Sequence, residues 1–209
     1  MLRVYTANIS GLDYRPALFK LSAYRLQRLE GVQSELNKKQ GAGAELLLNR
    51  AVRELRPGTE LPLDIVADEN GKPGLRDGSL FFSLSHSGPF ALCAVSDKVL
   101  GADIQEQKPF NERLARRFFS AEELAYILGS EDRNAAFSQV WALKESYIKA
   151  VGLGLKLPLD SFSLKFEKRI ELRGEPWKLW HRCVNGCHIA VCSSSDAEAE
   201  IFREIDRLE

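Results

Sequence analysis

Trp141, Glu145 and Lys149 recur at four-residue intervals in WALKESYIKAVGLGLKLPLDSFS, residues 141–163. On an α-helix that interval stacks side chains on one face, so an aromatic ring, an acid and an amine would all address whatever lies opposite. A Glu–Lys pair at this spacing is also an ordinary feature of a solvated helix, and the segment acquires chemical meaning only beside the rest of the chain. In VLGADIQ, residues 99–105, apolar residues alternate around an acid in the pattern of a strand. Gly101 permits close backbone approach there. The two-residue period sends Asp103 and Gln105 to one strand face and Ala102 and Ile104 to the other. A carboxylate among apolar residues is costly to bury unless it is paired or holds a cation. Upstream, in SLFFSLSHSGPFALCAVS, residues 79–96, two apolar runs flank Ser85-His86-Ser87-Gly88. Hydroxyls, an imidazole and an accessible backbone gathered in one turn suit a phosphate.

These groups need elements to hold them, and the hydrophobic pattern supplies an α+β series. A strand is expected over 1–10, helices over 17–29 and 38–55, and strands over 63–67, 79–85 and 90–95. Gly41 and Gly43 weaken the start of the second helix, while Leu46, Leu47, Val52 and Leu55 give it an apolar face. The second half opens with the strand near Val99. Ser120-Ala121-Glu122-Glu123 is a capping box opening a short helix to about Leu128, and a long helix over 133–151 carries the Trp–Glu–Lys stripe. Strands over 161–166, 171–172, 178–184 and 187–193 complete the series, and the C-terminal end reads equally as helix or strand.

Composition narrows the function classes. The 209 residues can bury a real core in one domain or two small subdomains. Lys and Arg number 29 and so do Asp and Glu, so no global field points to nucleic acid or an anionic membrane, and attraction to an acidic partner must be local. No apolar run is long enough to span a bilayer, and polar residues follow Met1-Leu2-Arg3 too soon for a signal peptide; a cytoplasmic location is the expectation. Cys183, Cys187 and Cys192 lie near His181 and His188, but without the paired C-x-x-C spacing of a zinc knuckle, and together with Cys93 they read as core cysteines. Phe118, Phe119, Trp177 and Trp180 read as packing residues.

The order of motifs is more specific than any one of them: Gly71-Lys72-Pro73, Ser85-His86-Ser87-Gly88, Gly101-x-Asp103, Trp141-x-x-Lys144-Glu145-Ser146-x-x-Lys149, then Leu157-Pro158-Leu159-Asp160-Ser161-Phe162. From about Arg25 to about Cys192 the chain resembles the 4′-phosphopantetheinyl transferase superfamily, in its larger, two-subdomain, surfactin-synthetase-activating type. The resemblance implies two similar α+β subdomains related by a pseudo-twofold, residues 1–98 and 99–209, with the active site in the cleft between them. It implies transfer of 4′-phosphopantetheine from coenzyme A to a serine hydroxyl of an acyl or peptidyl carrier protein. That reaction depends on Mg²⁺ and releases adenosine 3′,5′-bisphosphate; the enzyme would be a monomer that binds neither nucleic acid nor membrane.

Carried over by position, the resemblance makes Asp103 and Glu145 ligands of Mg²⁺ and places Lys149 at the transferring phosphate. Ser85, His86 and Lys72 fall on coenzyme A phosphate contacts, and Arg25 and Arg28 on further nucleotide-phosphate contacts. Lys39 and Gln40 fall on a binding segment, and residues 110–123 on a surface that receives the carrier protein. The general base stays open between Glu145, a water and Lys149. One departure stands out: many members carry Glu two residues after the metal-binding Asp, where this chain has Gln105 followed by Glu106. Strand alternation turns Glu106 away from the site. Gln105 can still offer an amide oxygen to the metal or hold a metal-bound water. A relative that binds without catalysing transfer remains the alternative.

Overall fold

The computed structural model describes residues 1–167, 169–194, 201–206 and 208. In the first sheet β1 (Leu2–Asn8) pairs antiparallel with β5 (Phe90–Ser96), and β5 with β4 (Phe81–Ser87); β11 (Ile201–Ile205) joins β1 in parallel, giving the order β11-β1-β5-β4. The second sheet is antiparallel throughout, in the order β6 (Leu100–Glu106), β10 (Cys187–Ser193), β9 (Lys178–Val184), β8 (Ile170–Leu172) and β7 (Leu164–Phe166). A small hairpin pairs β2 (Ile65–Ala67) with β3 (Pro73–Leu75).

The two-residue period of β5 shows how the layers stack. Ala91, Cys93 and Val95 pack with Leu47, Leu48 and Ala51 of α2 (Glu35–Leu55). Leu92 and Ala94 face the other way, packing with Ala102 and Ile104 of β6 and Ile189 and Val191 of β10. The opposite face of β10, through Ala190 and Cys192, packs with Val140, Leu143 and Tyr147 of α5 (Arg133–Val151). The result is helix, sheet, sheet, helix, an α+β architecture in which each sheet is backed by one long helix. Each fully buried leucine in these cores contributes about 1.5–3 kcal/mol.

Several local expectations shift, each for a physical reason. The helix expected over 17–29 is broken. A 3-10 helix spans Arg15–Lys20, Leu21 is extended, and Ser22 then caps α1 (Ala23–Leu29) by accepting from Arg25 N. α2 starts before residue 38 because the Ser34 hydroxyl caps it through Asn37 N. Its glycines lie inside the helix: a Cβ on Gly43 would come 2.7 Å from Ile9 Cγ2. The strand expected over 79–85 runs on to Ser87, so Ser85, His86 and Ser87 are strand residues and the turn is left to Gly88 and Pro89. Residues 112–118, not foreseen as helix, form α3 (Glu112–Phe118) under an Asn111 cap. Ser120 and Glu123 make the expected reciprocal capping box for α4 (Ala121–Gly129). The strand expected over 161–166 shortens to β7 behind a 3-10 turn over Leu159–Ser161. At the C-terminal end β11 returns to the first sheet, so the sheets interlock across residue 98. No helix among the described residues is long and apolar enough to cross a membrane.

Candidate active site

The site lies on the seam where the edge strand of one sheet meets the edge strand of the other. β4 and β6 are joined by serines spaced at the strand period. Ser83 Oγ accepts from Ala102 N at 2.9 Å and donates to Ala102 O at 3.3 Å, while Ser87 Oγ accepts from Glu106 N at 2.9 Å. Between them Ser85 Oγ donates to Asp103 Oδ1 at 2.6 Å. The hydroxyls thus bridge two strands that are not neighbours in one sheet. Their alternation at 83, 85 and 87 was visible in the sequence, but only the pairing of the sheets gives it a purpose.

α5 closes over this seam at unusually short range. Gly101 sits against the helix backbone: a Cβ there would overlap Ala150 N and Ser146 O and lie 2.6 Å from Lys149 C. The close approach anticipated for Gly101 is therefore what lets α5 lie on β6. Along the middle of α5, residues 142–144 and 146–148 are buried while Trp141, Glu145 and Lys149 keep partial exposure, the stripe their spacing implied. Lys149 Nζ donates to Asp103 Oδ1 at 2.7 Å and to Ser85 Oγ at 2.8 Å. Asp103 itself is only 6% exposed. Glu145 stands near enough to feel both partners: burial and the like charge of Asp103 raise its pKa above the ordinary carboxylate value, and Lys149 only partly offsets them. At the far end of the stripe Trp141 joins Phe118, Phe119 and Phe137 in an aromatic cluster with centroids 5.9–6.2 Å from its own.

The expected anion-binding residues divide into those at the seam and those elsewhere. His86 keeps solvent access, yet surrounding protein pushes its pKa down, first by burial and then through the charges of Lys149 and Arg25. Arg25 therefore belongs to the same electropositive field. It is held by Glu45, whose carboxylate accepts from Arg25 Nε at 3.3 Å and from Ser22 N at 2.5 Å. Gly41 makes room for it, since a Cβ there would come 3.3 Å from Arg25 Nη1. Arg28 is exposed, its guanidinium 5.4 Å over the Tyr24 ring. Lys72 lies at the end of α5 with its ammonium on Ala150 O at 2.8 Å and Leu100 O at 3.2 Å, and burial lowers its pKa. Lys39 donates to Ser10 O, and buried Gln40 to Gly88 O.

Gln105 and Glu106 part company as the strand period requires. Gln105 is opposite His188 in the β6–β10 ladder and donates from Nε2 to Glu106 O at 3.2 Å. Glu106 is exposed beside Gly88, where a Cβ would lie 2.7 Å from its Oε2. Among the described residues no group of three or more His, Cys, Asp or Glu is arranged for a metal ion; the carboxylates at the seam are those of Asp103 and Glu145. Two carboxylates close enough to raise the pKa of one suit a divalent cation, which would relieve their repulsion.

Lys144, the motif lysine that the stripe leaves out, is a support. It is wholly buried, donating to Glu123 Oε1 at 2.7 Å, to Glu123 Oε2 at 2.9 Å and to Phe162 O at 2.8 Å. Glu123 also accepts from Ser120 N and Leu164 N, each at 2.7 Å. One carboxylate therefore ties the cap of α4, the middle of α5 and the start of β7 together. Its capping role was legible in the sequence; its pairing with Lys144 was not. Three of the four cysteines are core residues as expected, Cys93, Cys187 and Cys192 being buried and burial pushing the Cys187 thiol up to about 11, but Cys183 is exposed and does not belong to the core.

Part of the chain is similar to known proteins. Residues 99–201, which carry Asp103, Glu145 and Lys149, match the family model described as the 4′-phosphopantetheinyl transferase superfamily. The chain is 40% identical over 103 residues to 4′-phosphopantetheinyl transferase Sfp of Bacillus subtilis strain 168, covering 48% of this chain and 46% of that protein. It is 37% identical over 130 residues to the transferase psf-1 of Bacillus pumilus, covering 59% and 54%. With HetI of Nostoc sp. the identity is 38% over 123 residues, covering 54% and 52%. The chain thus spans about half the length of the relatives it matches. Among solved structures, holo-[acyl-carrier-protein] synthase from Neisseria meningitidis aligns with a TM-score of 0.41 at 18% identity, covering 46% of this chain and 97% of that one. The resemblance read from the motifs holds over the segment that contains the seam carboxylates and the α5 stripe.

Proposed function

We propose, from a C-terminal half that matches the 4′-phosphopantetheinyl transferase superfamily, that this chain transfers the 4′-phosphopantetheine group of coenzyme A to a serine hydroxyl of an acyl or peptidyl carrier protein. The observation that carries the reading is the seam itself. Asp103 and Glu145 stand together as a like-charged pair, with Lys149, Ser85, His86 and Arg25 supplying donors and positive charge around them. A pyrophosphate needs such donors together with a cation.

Asp103 and Glu145 would hold Mg²⁺, with the Gln105 amide oxygen as a weak ligand or the anchor of a bound water. The ion supplies charge neutralisation on the pyrophosphate. In the transfer a new bond forms between the carrier serine oxygen and the phosphorus next to pantetheine. The bond from that phosphorus to the bridging oxygen breaks, and adenosine 3′,5′-bisphosphate leaves with the electron pair. Such a reaction needs positioning and electrostatic stabilisation more than a covalent intermediate. Lys149, already ion-paired to Asp103, acts as a cation that stabilises the transferring group. Glu145, with its raised pKa, is suited to take the serine proton directly or through a water. Ser85, His86 and Arg25 orient the nucleotide phosphates. Lys72, committed to two backbone carbonyls, holds the end of α5 from which Lys149 projects.

The carrier protein would dock on residues 110–123, where α3 presents Arg113, Arg116 and Arg117 beside the partly exposed Phe118. That local basic surface fits an acidic partner on a chain of zero net charge. The enzyme would act as a monomer in the cytoplasm, where coenzyme A is available. Mass spectrometry of an apo carrier protein incubated with this chain, coenzyme A and Mg²⁺ tests the reading: transfer adds one phosphopantetheine group to the carrier serine. Tight binding of coenzyme A with no added mass on any carrier protein would instead identify a binding relative.

A further inference from the structure

Gly41, Glu45 and Asn49, spaced four apart on α2, form one buried stripe of that helix, and the stripe grips the break between the 3-10 helix and α1. Asn49 Nδ2 donates to Lys20 O at 2.9 Å, Glu45 Oε1 accepts from Ser22 N at 2.5 Å, and Glu45 Oε2 accepts from Arg25 Nε at 3.3 Å. The Ser22 hydroxyl in turn accepts from Arg25 N at 3.1 Å. Backbone and side chain of Arg25 are thus tied down together, and the tie runs through Glu45.

Glu45 is wholly buried. A carboxylate taken out of water is costly unless it is paired and hydrogen-bonded, and its partners among the described residues are Ser22 N and Arg25 Nε. Swinging Arg25 into solvent would leave a buried charge without its counter-ion, so the guanidinium is held in place before any ligand arrives. It spends one of its five N–H groups on Glu45, and neither Nη donates to a described residue.

The side chain, 14% exposed, crosses α2 at Gly41, where a Cβ would come 3.3 Å from Arg25 Nη1 and 3.7 Å from its Cδ. The preceding residue, Gln40, donates to Gly88 O at 2.9 Å and ties this turn of α2 to the end of β4. The charge of Arg25 is felt at His86 on that strand. Arginine is the residue type that can serve both sides, since Nε can be anchored while the planar Nη pair stays available to an anion. A side chain ordered by the fold need not be ordered again on binding, and that difference appears as affinity.

We propose that Glu45 is a positioning residue for phosphate binding: its buried carboxylate locks Arg25 through Nε and the start of α1 through Ser22 N, so that the two Nη groups stand preset for a phosphate oxygen of the nucleotide. The phosphate role of Arg25 rests on the proposed function; the lock does not.

Glu45→Asp tests this. It keeps the negative charge behind Arg25, so the field at the seam is unchanged, and withdraws the carboxylate by about 1.5 Å, one carbon–carbon bond, out of reach of Nε. Binding of adenosine 3′,5′-bisphosphate, followed by calorimetry, is compared in wild type, Glu45→Asp, Arg25→Gln and the double variant, with urea midpoints measured alongside. Arg25→Gln should weaken binding roughly ten- to hundredfold, the worth of a hydrogen-bonded charge. Glu45→Asp should weaken it roughly three- to tenfold, the cost of ordering one long side chain on binding, and should add nothing in the Arg25→Gln background. In the transfer assay the loss should fall on KM for coenzyme A rather than on kcat. Equal weakening by Glu45→Asp in both backgrounds shows a merely structural role and overturns the proposal, as does no weakening in either. A second measurement needs no variant: in ¹⁵N spectra of the wild-type protein the Arg25 Nε–H should be protected from solvent exchange with and without the bisphosphate, while the Nη signals shift on its addition. An Nε–H that exchanges freely overturns the lock. A protected Nε–H in a wild type that binds no bisphosphate, or binds it as tightly after Arg25→Gln, overturns instead the phosphate role on which the proposal rests.

Discussion

Adding one methyl group at Gly101 should pry α5 from β6 and take the proposed chemistry with it. The new Cβ overlaps Ala150 N and Ser146 O and stands 2.6 Å from Lys149 C, all of them helix backbone that cannot swing aside as a side-chain tip can. Ordinary contact begins at 3.4 Å, so the Lys149 carbon alone demands a retreat of about 0.8 Å, and the two closer atoms demand more. A retreat of that size stretches the Lys149–Asp103 pair from 2.7 Å to about 3.5 Å, past hydrogen-bond length. Overpacking of this kind costs about 1–3 kcal/mol, occasionally more, and a misplacement near 1 Å costs about a hundredfold in rate. Urea denaturation and the carrier-protein mass shift read the two effects separately. We expect Gly101→Ala to lower the midpoint and to cut turnover about a hundredfold. The control is Gly129→Ala, where nothing lies within 4 Å of a built Cβ; it should keep both at wild-type level or gain slightly in stability. A Gly101→Ala protein with wild-type midpoint and turnover would refute the claim that this glycine sets the helix-to-strand distance.

Lys144→Met leaves the Glu123 carboxylate buried without its cation and should cost about 3–5 kcal/mol; a loss below about 1 kcal/mol by urea denaturation would contradict a supporting role for the pair. Asp103→Ala and Glu145→Gln should nearly abolish transfer while the far-ultraviolet circular dichroism stays native, and near-native turnover of either at low Mg²⁺ would falsify the metal assignment. Gln105→Glu should lower the Mg²⁺ concentration for half-maximal rate while Glu106→Ala leaves it unchanged; the reverse ranking would move the third acid to Glu106. His181 is held near pKa 4 against an ordinary 6.5, so the unfolded chain binds the extra proton between those values. Its contribution to stability is present above about pH 6.5 and lost as the pH falls toward 4, at up to about 1.4 kcal/mol per pH unit. Urea midpoints at pH 7.5, 6 and 5 should therefore fall less steeply for His181→Gln, and an unchanged slope would exclude His181 as the titrating group.

Short-range periodicity in the chain was enough for several features of the site. The four-residue spacing of Trp141, Glu145 and Lys149 put them on one helix stripe whatever the helix packed against. The strand alternation separated Gln105 from Glu106, and the Ser120–Glu123 cap is closed by residues three apart. The segment that matches the family model, residues 99–201, is the one that contains those groups. Local pattern failed where a neighbour in space overrode it. Glycines that read as helix weakeners at Gly41 and Gly43 are there because Arg25 and Ile9 press on the helix. His86 and Ser87 read as a turn but extend β4, where the Ser87 hydroxyl reaches across to β6. The tertiary structure also gives the Lys72 ammonium two carbonyl partners at the end of α5, which no local pattern showed. No local pattern could have paired Lys144 with Glu123, or sent β11 back to β1, because those contacts join residues 21 or more positions apart. Long-range contacts of this kind are chosen by which buried polar groups can satisfy each other once the layers have stacked, and that selection exists only in the folded molecule.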